Sequence, residues 1–421
     1  MQKKVSEFLQ RHGFYQDLDL ASLVDSFLHD MNEGLSGRKS YQDMIRTYLD
    51  PSSITLKDKA VVVIDAGGTN FRSSLVTFSK DGSSTVSNFE KTRMPGTEKE
   101  LGKKEFFAQI ADNIARFKDS CDEICFCFSY AMTITEDQDG VLESFSKEVK
   151  APEVVGCHIG AELKNALKEK GWTKLPRKII LLNDTASALL AGSGNPKYSS
   201  YIGFILGTGL NAAYLQPAKS EYNLTKNQII VCESAKFGGF KNSDFDIIMD
   251  EKSVTPGTSP YEKLCSGAYL GPLALETLQF AAKESLFSEK FAGALQNKKS
   301  LSLIEVNSFL SGSDSALFDA DGATAEDKAV LFEIFDALVN RMAQLAAVIL
   351  AACIIQCEGG KSSESPICVA CNGTSFFKTY KVIERTKEYL AKVLEGKNLY
   401  YELLPEEVDI TMGTAKAAFT E

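Results

Sequence analysis

Three observations give an α/β protein of two similar domains facing a cleft. The apolar, β-branched run Val61-Val62-Val63-Ile64 ends in Asp65-Ala66-Gly67-Gly68-Thr69-Asn70-Phe71-Arg72 and resumes as the strand-like segment Ser73 to Phe78. About 140 residues later Tyr201 to Leu206, Gly207-Thr208-Gly209 and Leu210 to Leu215 repeat the order of strand, Gly/Thr turn and strand, again with an asparagine, Asn211, just past the turn. At 421 residues the chain also exceeds the roughly 250–300 at which a single core stops growing.

The elements follow in order. The first ~55 residues read as helices, with Leu23, Phe27, Met31 and Leu35 recurring on one face of Leu20 to Leu35. Strands begin at Lys59, and strands and helices alternate to about Leu215. Lys178 to Leu182 reads as a buried strand and Ala186 to Leu190 as a helix. Helices dominate from Ser259 to Cys357, broken by a loop at Ser311-Gly312-Ser313-Asp314. The stretch Glu358-Gly359-Gly360-Lys361-Ser362-Ser363-Glu364 is a loop before a strand, Ile367 to Ala370. The uninterrupted apolar part of the Glu326 to Cys357 helix, Leu345 to Ile355, is shorter than the ~20 residues a membrane span needs, which predicts a core helix.

Composition narrows the function. With 44% hydrophobic and 24% charged residues the chain is an ordinary globular protein, and a net charge of −10 argues against nucleic acid or an acidic membrane as partner. Met1-Gln2-Lys3-Lys4 leads into a polar helical pattern without an apolar signal core, so a cytoplasmic protein is expected. Cys368-Val369-Ala370-Cys371 has C-x-x-C spacing but neither a second pair nor a nearby histidine. Reduced, buried packing cysteines are therefore expected rather than a metal or redox centre.

The chemistry is expected at strand ends. A hairpin tip of Gly67, Gly68 and Thr69 lets backbone N–H groups converge on a phosphate with no Cβ in the way, although an isolated tip of this kind reads equally well as a polar turn. Two such tips facing each other would grip one polyphosphate from both sides. Asn183-Asp184-Thr185 falls where the strand from Ile179 stops. Alone it would be a helix cap, but it also holds a carboxylate at a helix start, placed to accept a proton from an alcohol.

On these motifs the chain resembles the hexokinases, of the actin-like ATPase and sugar kinase superfamily. "DAGGTNFR" is similar to the family's first phosphate motif, "NDT" to its catalytic motif and "GFILGTGLNAAYL" to its second phosphate motif. "VCESAKFGGF" and "YEKLCSGAYLG" are similar to the segments that supply sugar-binding glutamates. "CFSYAMT" resembles the small-domain sugar loop, "SFSKEV" the threonine-lysine segment and "NGT" the adenosine motif.

The resemblance implies two actin-like ATPase (ribonuclease H-like) domains flanking a substrate cleft. The small one would hold residues 56–185 and 406–421, the large one 1–55 and 186–405. It implies phosphoryl transfer from ATP with Mg²⁺ to the 6-hydroxyl of a hexose, glucose first, with another hexose or an amino sugar as the alternative acceptor and a silent sugar sensor as the alternative role. Asp184 would be the general base. Asn183, Asn211, Glu233 and Glu262 would hold ring hydroxyls with Ser129, Ser146 and Lys147, and Lys147 would also serve the transferring group. Gly67, Gly68, Thr69, Asn70 and Arg72 would line the phosphates opposite Gly207, Thr208 and Gly209. Gly373 and Thr374 would meet the adenosine, and Asp65 would orient Mg²⁺ through water. Sugar binding would close the cleft and bring in Ser146 and Lys147. Several positions depart from the family pattern: Ala131 for a proline, Ser146 for a threonine, Phe145 for a tryptophan and Asn372 for an aspartate.

Overall fold

The computed structural model describes residues 2–145 and 149–420. Its strands, in chain order, are β1 (Ile45–Arg46), β2 (Lys59–Gly67), β3 (Asn70–Phe78), β4 (Ser84–Arg93), β5 (Glu123–Phe128), β6 (Ala131–Ile134), β7 (Gly140–Ser144), β8 (Ile179–Leu182), β9 (Ser200–Leu206), β10 (Leu210–Gln216), β11 (Gln228–Val231), β12 (Ile367–Asn372) and β13 (Tyr401–Leu403). They form two large sheets and a small hairpin. The first sheet has the order β4-β3-β2-β5-β8, and the second β1-β11-β10-β9-β12-β13. In each, three consecutive antiparallel strands are followed by two strands parallel to the first of them. The repeated hairpin is therefore the visible part of a repeated sheet.

Two helices separate the sheets. Asp184–Gly192 packs on β9 and β12 of the second sheet, whereas Ile410–Lys416 packs on β2 and β5 of the first, and the two helices pack on each other. The expected domain boundary at residue 185 falls in the first turn of the former helix. A shared core from Val61, Val63 and Val76 through Ala186, Leu189 and Leu190 to Ile229 and Val231 joins the layers.

The contact between these helices is very close. A Cβ on Gly413 would lie 1.8 Å from the Ser187 carbonyl oxygen, and Thr414 Oγ1 donates to Ser187 Oγ at 2.9 Å. Backbone has to move to admit even one methyl group. Gly413→Ala is expected to cost about 1–3 kcal/mol by overpacking. Gly293→Ala, at a helical site with open space around it, gains helix propensity instead. Denaturant unfolding of the two variants side by side checks this, and equal stabilities would refute it.

The helix Leu20–Leu35 forms as its periodicity predicts, burying Phe27, Met31 and Leu35, with Leu23 packed at the edge of the core. Residues 36–55 do not continue the helical reading. The exposed edge of β11 captures them instead: Ile45 pairs with Val231, and the N–H of Met44 reaches the Cys232 carbonyl. Met44 and Tyr48, both at positive φ, bend the chain on either side of this pairing. The long helix is Ala325–Gln356, and its side chains are mostly buried within the protein, as expected of a core helix. The ten cysteines are free thiols, and all but the half-buried Cys157 are buried.

Candidate active site

A cleft of about 890 Å³ opens between the two sheets at the ends of their central strands. On one wall the β2–β3 turn is a two-residue loop with Gly68 at φ +56°, in the left-handed region that favours glycine. The Tyr130 hydroxyl donates to the Gly68 carbonyl at 3.0 Å, pinning the tip. On the facing wall the β9–β10 turn has three residues, closed by the Gly207 N–H on the Gly209 carbonyl at 3.0 Å. Its outward carbonyls are already bonded: Gly207 accepts from Gly267 N–H and Ser375 Oγ, both at 2.8 Å, and Thr208 accepts from Ala268 N–H at 3.1 Å. The loop is thereby held rigid.

The cleft gathers Gly67, Gly68, Arg72, Ser129, Asn183, Asp184, Gly207, Thr208, Gly209, Asn211, Glu233, Glu262, Gly373 and Thr374 from segments spread over some 300 residues. Thr69 and Asn70 do not line it. Thr69 is exposed at the tip with its carbonyl held by Met94 N–H at 3.0 Å, and Asn70 is paired on both sides, with Gly67 and with Arg93. Asp65 stands beside the lining residues, one carboxylate oxygen accepting from Arg72 at 2.7 Å and its charge acting on Asp184. Ser146 and Lys147 lie outside the described residues.

Local geometry explains each acid. Asn183 caps the helix Asp184–Gly192, its Oδ1 accepting from Thr185 N–H at 2.8 Å, so the adjoining Asp184 stands at the helix start on the cleft floor. Burial lifts the Asp184 carboxyl to about 7, with further upward pushes from the Glu233 and Asp65 charges. Backbone N–H groups at the helix start oppose this. Glu233 follows β11 at φ +59°, a conformation that costs a non-glycine residue about 1–3 kcal/mol. Asn211 compensates by donating Nδ2 to Glu233 Oε1 at 2.8 Å while its Oδ1 accepts from Ser234 N–H at 3.1 Å. Glu262 reaches across from the helical turn Pro260–Lys263 to accept from Leu210 N–H at 2.9 Å, at the root of the second loop. Burial pushes both glutamates above the ordinary carboxylate range.

At the far end Gly373, at φ +118°, touches the backbone of Leu206 and Gly207 so closely that a Cβ would fall 2.3 Å from the Leu206 carbonyl oxygen. Asn372, which departs from the family aspartate, donates Nδ2 to the Val408 carbonyl at 2.9 Å, a bond that an aspartate could not make. A carboxylate arrives here from elsewhere: Glu407 accepts the Gly373 N–H at 2.9 Å and lines the cleft. Phe145 packs against Phe106, Phe128 and Tyr130 in the first domain's core. Ala131, at the start of β6, stands exposed in the cleft wall. Among the described residues, no group of three or more His, Cys, Asp and Glu side chains is close enough to cage a metal ion.

Comparison with known proteins decides the family. Two hexokinase family models match, one over residues 4–193 and one over residues 201–420, the second alone covering just over half of the chain. The chain belongs to the hexokinase family. Hexokinase-7 of Oryza sativa subsp. japonica is 29% identical over 343 residues, covering 72% of each protein. Hexokinase-1 of Schizosaccharomyces pombe is 25% identical over 426 residues, covering 94% of this chain and 84% of that one. A hexokinase from Schistosoma mansoni complexed with glucose shares the fold at a TM-score of 0.75 and 21% identity, over 99% of this chain and 98% of that one. A second hexokinase crystal structure has a TM-score of 0.80 at 19% identity with the same coverage. The two sheets of like topology are thus the two actin-like domains of a hexokinase, a phosphotransferase acting on a hexose hydroxyl.

Several residues of this hexokinase cleft escape a reading of the sequence: Asp43, Tyr130, Glu143, Lys236 and Glu407. Asp43 and Glu407 come from irregular segments that only the folded sheet edges place. Lys236 stands within the "ESAKF" motif, three residues after Glu233, and that spacing is its one available signal.

Proposed function

We propose that this hexokinase transfers the γ-phosphoryl group of ATP to the 6-hydroxyl of glucose, as a cytoplasmic enzyme of glycolysis. The observation that carries this reading is the placement of Asp184. It stands on the floor of the cleft at a helix start, with an affinity for protons near neutrality, between two glycine loops and a cluster of amide and carboxylate side chains.

A general base must be ionised yet willing to take a proton, and a group poised near 7 meets both demands at neutral pH. Asp184 accepts the proton of the sugar 6-hydroxyl as that oxygen attacks phosphorus. Asn183, Asn211, Glu233, Glu262 and Ser129 hold the other hydroxyls, and a missing or inverted hydroxyl leaves one of these half-buried groups unpaired. The loops at Gly67-Gly68 and Gly207-Thr208-Gly209 offer backbone N–H groups to the phosphates, while Gly373 and Thr374 flank the nucleoside end. Fixing both reactants in line is itself worth roughly 7–11 kcal/mol of barrier.

Asp65, with one carboxylate oxygen accepting from Arg72, is the residue that would hold Mg²⁺ carried on the nucleotide through that ion's own water. When bound, the ion supplies neutralisation of phosphate charge. Among the described residues, the cation on the phosphate wall is Arg72, half-exposed in the cleft and oriented by Asp65. Glucose as acceptor draws support from the glucose held by the Schistosoma hexokinase of the same fold and from the amide, hydroxyl and carboxylate side chains gathered in the cleft. A silent sensor would have no use for a base at residue 184.

The test is ADP release against a panel of hexoses. Release dependent on glucose is expected, and sugar-independent hydrolysis or no release with any hexose would overturn the reading.

A further inference from the structure

Among the described residues the cleft is lined by six acids, Asp43, Glu143, Asp184, Glu233, Glu262 and Glu407, but by only two cations, Arg72 and Lys236. Arg72 belongs to the phosphate wall. Lys236 stands at the sugar end, in the 3₁₀ turn directly after Glu233, its N–H bonded to the Glu233 carbonyl at 3.0 Å. Its ammonium is anchored on the Asp43 carboxylate. Met44, the next residue after Asp43, bonds to the Cys232 carbonyl, so both members of the pair are tied to the backbone that carries Glu233. Glu143 faces them from β7 of the other domain, its Oε1 accepting from Thr133 Oγ1 at 2.5 Å.

A neutral sugar is indifferent to the net charge of such a wall, but a cationic one is not. We propose that Lys236, anchored by Asp43, is a specificity-determining residue whose positive charge offsets part of the acidity of the sugar end and so weakens the hold of the cleft on hexoses carrying an ammonium group. This rests on the hexose-kinase reading of the cleft and adds to it which acceptors the cleft turns away. Among the described residues, the charged groups that a bound amino sugar would meet are Asp43, Glu233, Lys236, Asp184 and Glu262 from one side and Glu143 from the other. Removing one unit charge about 10 Å away, at the effective dielectric usual near protein surfaces, changes the affinity of a cation by roughly tenfold.

The experiment measures kcat/KM for 2-amino-2-deoxyglucose relative to glucose, together with calorimetric binding of each sugar without nucleotide. Lys236→Met should raise the ratio about tenfold, Asp43→Asn should lower it by a similar factor, and Lys236→Arg should keep it near the wild-type value. Both shifts should shrink as the pH rises past the ionisation of the sugar amine. A packing defect cannot move two neighbouring variants in opposite directions. A ratio unmoved in Lys236→Met, or moved in the same direction in both charge variants, overturns the proposal. A wild-type protein that binds and phosphorylates neither sugar overturns the hexokinase reading of the cleft and this inference with it.

Discussion

Asp184→Asn should lower kcat by about 10²–10⁴-fold, the usual contribution of a positioned general base, while glucose still binds through the neighbouring amides and glutamates. For the wild type, kcat/KM should fall as the pH drops through about 7, because the base is lost when the carboxyl takes up its proton. The same group makes an opposite demand on stability. Its affinity for protons is raised from 3.8 in the unfolded chain to about 7 in the folded one, so the native state binds the extra proton between those values. Stability therefore falls as pH rises across that window. Asp184→Asn, which removes the buried charge, should melt at a higher temperature than wild type at pH 8 and at the same temperature near pH 4. Activity retained in this variant would remove Asp184 from the base role. A melting difference that persists at pH 4 would place its strain elsewhere.

The site residues legible from local chemistry alone lie in short, unusual motifs, whereas Ser129, Glu233, Glu262, Gly373 and Thr374 come only through the resemblance to the hexokinases. Gly67-Gly68 and Gly207-Thr208-Gly209 interrupt β-branched runs, and Asn183-Asp184 ends one. Strand pairing then brings them together with no further information, because β2 and β9 are equivalent strands in two sheets of the same order. Thr69 and Asn70 show the limit of this reasoning. Both lie in the right motif, but Thr69 ends the two-residue turn with its carbonyl taken by Met94, and Asn70 is already paired with Gly67 as the first residue of β3. Asp43 shows a second limit. Its place depends on β11 having a free edge, which is a property of the finished sheet rather than of residues 36–55. Lys236 shows a third, because a lysine within a motif becomes meaningful only once Asp43, 193 positions away, is seen to hold it.

The largest effect on stability is expected far from the chemistry, at Arg341. Its guanidinium lies within the core at 2% exposure, donating to both oxygens of Asp246 at 2.7 and 2.9 Å and stacked over the Phe14 ring with 4.4 Å to the centroid. Asp246 in turn closes the capping box with Ser243 that starts the helix Asp244–Lys252. One pair thus joins the long helix Ala325–Gln356 to the N-terminal segment and to the helix that follows the Glu233 loop. Burial by itself would raise the Asp246 carboxyl. The charge and hydrogen bonds of Arg341, with the hydroxyl and N–H of Ser243, overcome that and hold it below its ordinary 3.8. Its contribution to stability is therefore complete above that value and lost as the pH falls through the lower folded one. Arg341→Met strands a buried carboxylate and should cost about 3–5 kcal/mol. Asp246→Asn leaves a buried guanidinium without its counter-charge and should cost a similar amount. The double variant removes both charges, so it should be less destabilised than the sum of the singles, and the coupling energy of that cycle is the direct measure of the pair. Additive losses in urea unfolding would mean that the two charges do not stabilise each other, and the link between the long helix and the loop that carries Glu233 would then have to rest on the aromatic packing of Phe14 and Phe240 alone.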